Sequence, residues 1–166
     1  MPSVRIRIDQ RPAFVIETHG RRDTIVSAAI EKDHCWDPAS TRIARAVLRH
    51  EVDFVDVGAN IGWFTLIAAE ALGARGSVHS FEPDPRHVVK LKASVRRNHF
   101  RNVTINAWAL SDFDGEGRLF RNEKNLGDHR MFEFGPPRRS EPVAVRTLDG
   151  YGGLAAGRPL LLKLDV

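Results

Sequence analysis

The stretch Asp53-Phe54-Val55-Asp56-Val57-Gly58-Ala59-Asn60-Ile61-Gly62 decides the fold. Asp53 to Val57 is a short, mostly apolar run ended by a turn signal, as a buried strand requires. Gly58 lets the chain turn sharply without a Cβ clash, and Gly62 lets a ligand approach the backbone closely. From about Gly62 to Leu72 the apolar set Phe64, Ile67, Ala68, Ala71 and Leu72 recurs at helical spacing, and Gly73 stops the helix. Ser77 to Phe81 reads as a second strand. Asp84 is placed to N-cap the next helix, with Pro85 in its first position, where a missing N–H costs nothing. Val88, Leu91 and Val95 continue that helix, and Val103 to Ala107 is a third strand. Strand, helix, strand, helix, strand predicts an α/β fold with a doubly wound, mostly parallel sheet. The right-handed crossover rule then places helices on both faces.

Working outward, Val4 to Ile8 alternates apolar and charged residues, and Ala13 to Glu17 is its expected partner in an N-terminal β-hairpin, with Arg11-Pro12 near the turn. A helix over roughly Thr24 to Lys32 follows. Asp37-Pro38 breaks the chain, and Ser40 reads as the N-cap of a helix carrying Ile43, Val47 and Leu48 on one side. Beyond Trp108, Asp114-Gly115 is a turn signal. Arg118 to Phe120 and Val143 to Thr147 read as antiparallel additions around a polar stretch from Arg121 to Pro142. Leu160 to Val166 fits a buried fourth parallel strand. Residues 1–50 are thus expected to form a hairpin and helical lead-in, and residues 51–166 the ligand-binding domain.

Length and composition agree with one globular domain: 166 residues, 42% hydrophobic and 28% charged. The net charge of +4 is carried by scattered arginines with no dense basic stripe, so no nucleic-acid partner is expected. The one cysteine, Cys35, excludes a disulfide framework and a Cys-cluster metal site, and the histidines lack metal-ligand spacing, so no metal is expected. No signal-like or membrane-spanning run is present, which points to a cytoplasmic protein.

The spacing of the turn separates cofactors. A dinucleotide fingerprint needs glycine at its first, third and sixth positions, and counting from Gly58 these are Gly58, Asn60 and Trp63. No Gly-Lys-Ser/Thr follows, so a Walker A loop fails as well. Glu82 ends the second strand 82 − 62 = 20 residues after the last glycine, where a carboxylate reaches ribose hydroxyls. A nucleoside ligand without a phosphate cradle follows, and S-adenosylmethionine fits.

These residues also resemble a family. Val55 to Gly62 is similar to the first motif of FkbM-type methyltransferases, and Ser80-Phe81-Glu82-Pro83-Asp84-Pro85 to their second. Asn102-Val103, Ala109-Leu110-Ser111-Asp112 and Asp114-Gly115 are similar to the segment around their third strand. Asn125 to Arg130 resembles a loop of one branch of the family. Val145 to Asp149 and Leu162 to Val166 look like the lead-in and the fourth strand. The resemblance implies a class I methyltransferase-like Rossmann fold using S-adenosylmethionine, with transfer to a hydroxyl of a small molecule, a sugar or a lipid-linked glycan. It implies that Asp56 and Gly58 line the methionine end of the cofactor, that Asn60 and Gly62 shape the turn, and that Glu82 binds the ribose. Ser111 and Asp112 then lie near the adenine, and Asp165 faces the reacting centre. Family domains continue past Asp165-Val166, so the sheet is expected to be incomplete at its C-terminal side, with possible pairing or self-association through that edge.

Each assignment has a plainer rival. Asp56 also suits a strand-end cap, Glu82 a solvated loop residue, and Asp165 a frayed end. His129 is a candidate general base because a histidine titrates near neutrality, and equally a surface loop histidine. Trp36 suits either a lid over the cofactor or a packed helix entrance. The rival functions are an inactive or split fragment needing another chain and a nicotinamide-dependent oxidoreductase.

Overall fold

The structure, a computed structural model, describes residues 1–123 and 125–165. Strands β1 (Ser3–Ile8) and β2 (Arg11–Glu17) pair antiparallel. Asp9 and Gln10 make the turn, both at positive φ (48° and 65°), the conformation that matches the twist of a tight hairpin. Pro12 therefore lies inside β2, beside a bulge at Ile6/Arg7.

Helix α1 (Val26–Asp33) starts two residues later than expected, because buried Asp23 organises its entry. The Asp23 carboxylate accepts from the N–H groups of Ile25, Val26 and Ser27 and from the Ser27 hydroxyl. Helix α2 (Pro38–Val47) is capped by Asp37, not Ser40: Asp37 Oδ1 accepts the Ser40 N–H, and Pro38 takes the first position. That also turns the helix. Ile43 is 65% exposed, while Thr41 and Leu48 face inward. Thr41 is held there by donating to Trp36 O and accepting from Trp63 Nε1 at 2.8 Å.

The central alternation is as the sequence predicts: β3 (Asp53–Val57), α3 (Trp63–Leu72), β4 (Val78–Phe81), α4 (Pro85–Arg97) and β5 (Val103–Asn106). Asp84 caps α4 through the Arg86 N–H, with Pro85 next to it. There follow β6 (Ala109–Leu110), β7 (Gly115–Phe120), β8 (Ser140–Arg146) and β9 (Leu160–Leu164). The main sheet is parallel throughout, in the order β5-β4-β3-β9. The order reverses at β3, whose neighbours β4 and β9 lie on opposite sides, and such a switch point opens a crevice at the carboxyl ends of the strands. A smaller sheet, β6-β8-β7, pairs β8 parallel to β6 and antiparallel to β7.

The two faces of the main sheet are covered differently. Phe54 packs into a cluster with Ile6, Ile16, Leu66 and Ile67, which joins the hairpin and α3 to the sheet. Phe14 meets Trp63 edge-on at 5.9 Å within it. Val55, Val57 and Phe81 point the other way, against Trp108, Leu110, Leu148, Tyr151 and Leu154. Among the described residues no helix covers that second face, contrary to the expectation of helices on both. The chain between β5 and β9 forms the small sheet and irregular segments instead. Strand β9 is likewise not a buried strand. It borders only β3 among the described residues, and Leu160, Leu162 and Leu164 remain exposed along one of its sides.

Candidate functional site

After Val57 the chain reverses through three left-handed positions, Gly58 (φ 72°), Asn60 (φ 51°) and Gly62 (φ 95°). Asparagine tolerates this region better than other side-chain-bearing residues. Asn60 Oδ1 also accepts the Ile61 N–H at 2.6 Å, which steadies the turn. Gly62 serves packing: a Cβ there would lie 2.3 Å from Leu91 Cδ1. It lets α4 close onto the start of α3.

A cavity of about 260 Å³ opens over this turn. That is just below the roughly 300–1,000 Å³ common for small-molecule sites. Gly58 to Ile61 and Phe81 to Pro83 form its floor. Ala109, Leu110 and Ser111 line one side, and Trp36, Lys163 and Asp165 also reach it. The roof comes from Leu119, Leu126, Gly127, His129, Met131 and Phe132. Of the residues expected from the sequence, Gly58, Asn60, Glu82, Ser111, His129 and Asp165 thus meet on one lining. Asp56, Gly62 and Asp112 do not line it.

Asp56 is fully buried beneath the floor. Its Oδ2 accepts the Thr65 hydroxyl at 2.7 Å, and its Oδ1 lies 3.0 Å from Lys163 Nζ. Lys163 is its cross-strand partner in the β3–β9 ladder. The ammonium also donates to Gly58 O at 3.0 Å and Val57 O at 3.3 Å, and lies 3.6 Å from Asp165 Oδ2. One cation therefore ties the two strands, the glycine turn and Asp165 together. Asp112 is exposed, and its carboxylate accepts the Ser111 hydroxyl at 3.1 Å.

Glu82 is 5% exposed. Its Oε2 accepts the Asn60 N–H at 2.7 Å and its Oε1 the Asp84 N–H at 2.8 Å. His87 Nδ1 lies 3.4 Å from Oε1. Asp84, two residues on, is fully buried and surrounded by donors. Burial pushes its carboxyl up, but the hydrogen bonds from His129 and Arg86 outweigh this and hold it far below the ordinary carboxylate range. His129 Nε2 lies 3.1 Å from Asp84 Oδ2, and its Nδ1 accepts the Asn122 N–H at 3.2 Å. Both ring nitrogens are engaged, so neither offers a lone pair to a substrate hydroxyl. Nearby, His19 is lowered to about 4 by burial and by its neighbours His87 and Lys90.

Asp84, His87 and His129 bring ligand-type atoms within 4.8 Å of one another. A cation already stands among them, for Arg86 Nη2 is 2.9 Å from Asp84 Oδ2 and 3.1 Å from His129 Nε2. The His87 and His129 rings are stacked at 9°, so their in-plane lone pairs do not converge on one ion. Lys163 and His87 are lining residues that sequence reasoning missed, with Arg86 beside them on Asp84 and His129. The signal for Lys163 was a lone opposite charge in an apolar strand, matching Asp56.

The donor set fits S-adenosylmethionine. The lining offers a buried carboxylate, Glu82, with acceptor capacity for hydroxyl groups, and Phe81, Ala109, Leu110 and Leu119 give an apolar slot. Asp165 supplies a further negative charge near the turn. A pyrophosphate would instead meet the Glu82 carboxylate and the Asn60 side chain. Fold and site together define a class I S-adenosylmethionine-dependent methyltransferase architecture.

The model of the methyltransferase FkbM domain matches residues 56–166, and the chain belongs to that family, whose cofactor is S-adenosylmethionine. No curated protein matches the chain. Among solved structures it is similar to a precorrin-6y C5,15-methyltransferase from Geobacter metallireducens GS-15, at 20% identity over 54% of this chain and 51% of that one, with a TM-score of 0.40. It is also similar to Aeropyrum pernix fibrillarin with natively bound S-adenosyl-L-methionine, at 20% identity over 41% and 32% of the two chains and a TM-score of 0.35. The chain spans no more than about half the length of these structures. Among the described residues no helix is long and apolar enough to cross a membrane.

Proposed function

We propose that the cavity holds S-adenosylmethionine with its ribose on Glu82, and that the chain directs its methyl group to a hydroxyl oxygen of a small molecule, a sugar or a lipid-linked glycan. Glu82 carries the reading: a buried carboxylate at the end of β4, fixed by two backbone N–H groups and lining the cavity. When bound, the cofactor supplies a methyl group already activated by its sulfonium. The chain then has to hold the acceptor oxygen in line and take up a proton. Ser111 stands at the adenine end, and Gly58 and Asn60 shape the turn beside the methionine end. Asp56 contributes from beneath by fixing Lys163, and Gly62 by closing α4 onto α3. Asp112 orients the Ser111 hydroxyl. Asp165, held beside Lys163, is the carboxylate placed to accept the hydroxyl proton, because the His129 nitrogens are both engaged.

The test is thermal unfolding with and without saturating S-adenosylhomocysteine. A ligand that binds only the folded form raises the midpoint. A rise in the wild type that disappears in Glu82→Ala supports the site, and an unshifted wild type overturns it. Transfer of labelled methyl groups into a panel of hydroxyl compounds addresses the acceptor. Asp165→Ala should then lower the rate roughly 10²-fold, the scale of a general base, with cofactor affinity retained.

A further inference from the structure

Three imidazoles stand in a row beside the ribose carboxylate. His87, in the first turn of α4, is 2% exposed, and its Nε2 has no hydrogen-bond partner. One face of its ring is covered by His129, with centroids 5.0 Å apart and planes at 9°. His19 packs on it at 5.1 Å, tilted by 59°. A buried ring nitrogen left unpaired is unfavourable, so the ring is set by what happens at its other nitrogen and its faces. That other nitrogen, Nδ1, is the one 3.4 Å from Glu82 Oε1.

A carboxylate has about four lone-pair directions. Asn60 N and Asp84 N account for two at Glu82, and His87 Nδ1 stands 3.4 Å from Oε1, at ion-pair distance. The directions left over are those that ribose hydroxyls would use, and His87 borders one of them. His129 in turn belongs to the roof, next to Gly127, Met131 and Phe132, and is clamped by Asp84 and the Asn122 N–H.

We propose that His87 and His129 are positioning residues for the cofactor: the stacked pair transmits the seating of the roof to the Glu82 carboxylate, so that roof and ribose site act as one unit. This rests on the reading of Glu82 as the ribose ligand. It gives His129 a signature opposite to that of a general base. Loss of its ring weakens cofactor binding, which loss of a general base alone would not do.

The experiment is calorimetric titration of the whole chain with S-adenosylhomocysteine, for the wild type, Glu82→Ala, His87→Ala, His129→Ala and the two doubles that contain Glu82→Ala. Each single substitution at His87 or His129 should weaken binding by roughly tenfold, the scale of one lost orienting contact to a charged group. Each double should bind no more weakly than Glu82→Ala alone. Additive losses in the doubles overturn the proposal while leaving the ribose reading intact. An unchanged Glu82→Ala overturns both. His87→Asn, which keeps a donor near Oε1, should recover part of the loss and covers the case in which His87→Ala does not fold. Titration with adenosine and with 2′,3′-dideoxyadenosine separates positioning from general damage. The His87 variants should lose affinity for the first and not the second, and equal losses for both refute the assignment.

Discussion

The floor of the cavity, the glycine turn and the end of β4, rests on β3, β4 and the helix packed against them, and those strands and the inward helix face are buried. The roof, residues 119–123 and 125–132, hangs from a strand end and is held by charged side chains: Arg121 on Asp84 and Glu141, and Arg130 and Arg138 on Asp128. Phe132 and Phe134 stand 58% and 65% exposed beyond it, near the Arg130 guanidinium. Close packing is sensitive to single atoms, whereas partly exposed ion pairs such as those on Asp128 contribute little each. The floor should therefore fix stability, and the roof should adjust binding without strongly affecting the fold.

The sharpest break of that contrast lies under the floor. Asp56→Ala leaves the Lys163 ammonium without its buried partner and should cost about 3–5 kcal/mol in denaturant unfolding. Asp56→Ala combined with Lys163→Met should recover much of it, and a double as unstable as the single would show that the pair is not the cause. Gly62→Ala comes next. Overpacking against Leu91 and a positive φ should together cost about 2–4 kcal/mol. The companion Leu91→Ala should relieve only the packing share.

Acid should act more gently. His19 is held neutral by burial and by His87, with its value lowered from 6.5 to about 4. The unfolded chain binds a proton there first. Its contribution is therefore complete above about 6.5 and is lost as pH falls toward 4. Asp84, whose carboxyl is depressed, adds a further loss at still lower pH. Melting temperatures followed from pH 7 to pH 4 should fall, and His19→Gln should flatten the upper part of that slope. The smallest effect belongs to the roof: Asp128→Ala should change stability by less than about 1 kcal/mol. A larger loss would mean that the roof carries the fold after all.

The sequence was legible where a local rule acts alone. Asp84-Pro85 was readable as a helix start because a cap and a first-position proline are neighbours in the chain. Gly73 was readable as a stop for the same reason. Asp37 was passed over in favour of Ser40 because Asp37-Pro38 has two meanings, a break and a capped first turn, and the difference depends on Thr41 reaching Trp63. The glycine turn and Glu82 carried the cofactor class, since their spacing is set by the length of one helix and one strand. The cover of the second sheet face was not legible. Trp108, Leu148, Tyr151 and Leu154 meet the sheet from irregular segments that have no periodicity. The direction of Asp56 was also hidden: the motif places it at the cavity edge, but strand alternation and the register with Lys163 turn it beneath the floor.

The hairpin's attachment carries a consequence for how the molecule assembles in time. Asn98 places its amide along β2, accepting from Val15 N at 2.7 Å and donating to Val15 O at 2.6 Å, across 83 residues of sequence. Ser94 and Arg97 add bonds to Glu17. Contacts of such separation close slowly, because chain entropy is lost before any contact repays it. The first seventeen residues should then dock after β3, β4, β5 and the helices between them have formed, while the β3–β9 ladder, which pairs Asp53 with Leu160, spans still more sequence. An altered Asn98 should accordingly hasten unfolding far more than it delays refolding, so that the opening strands of the chain act as a late-set latch.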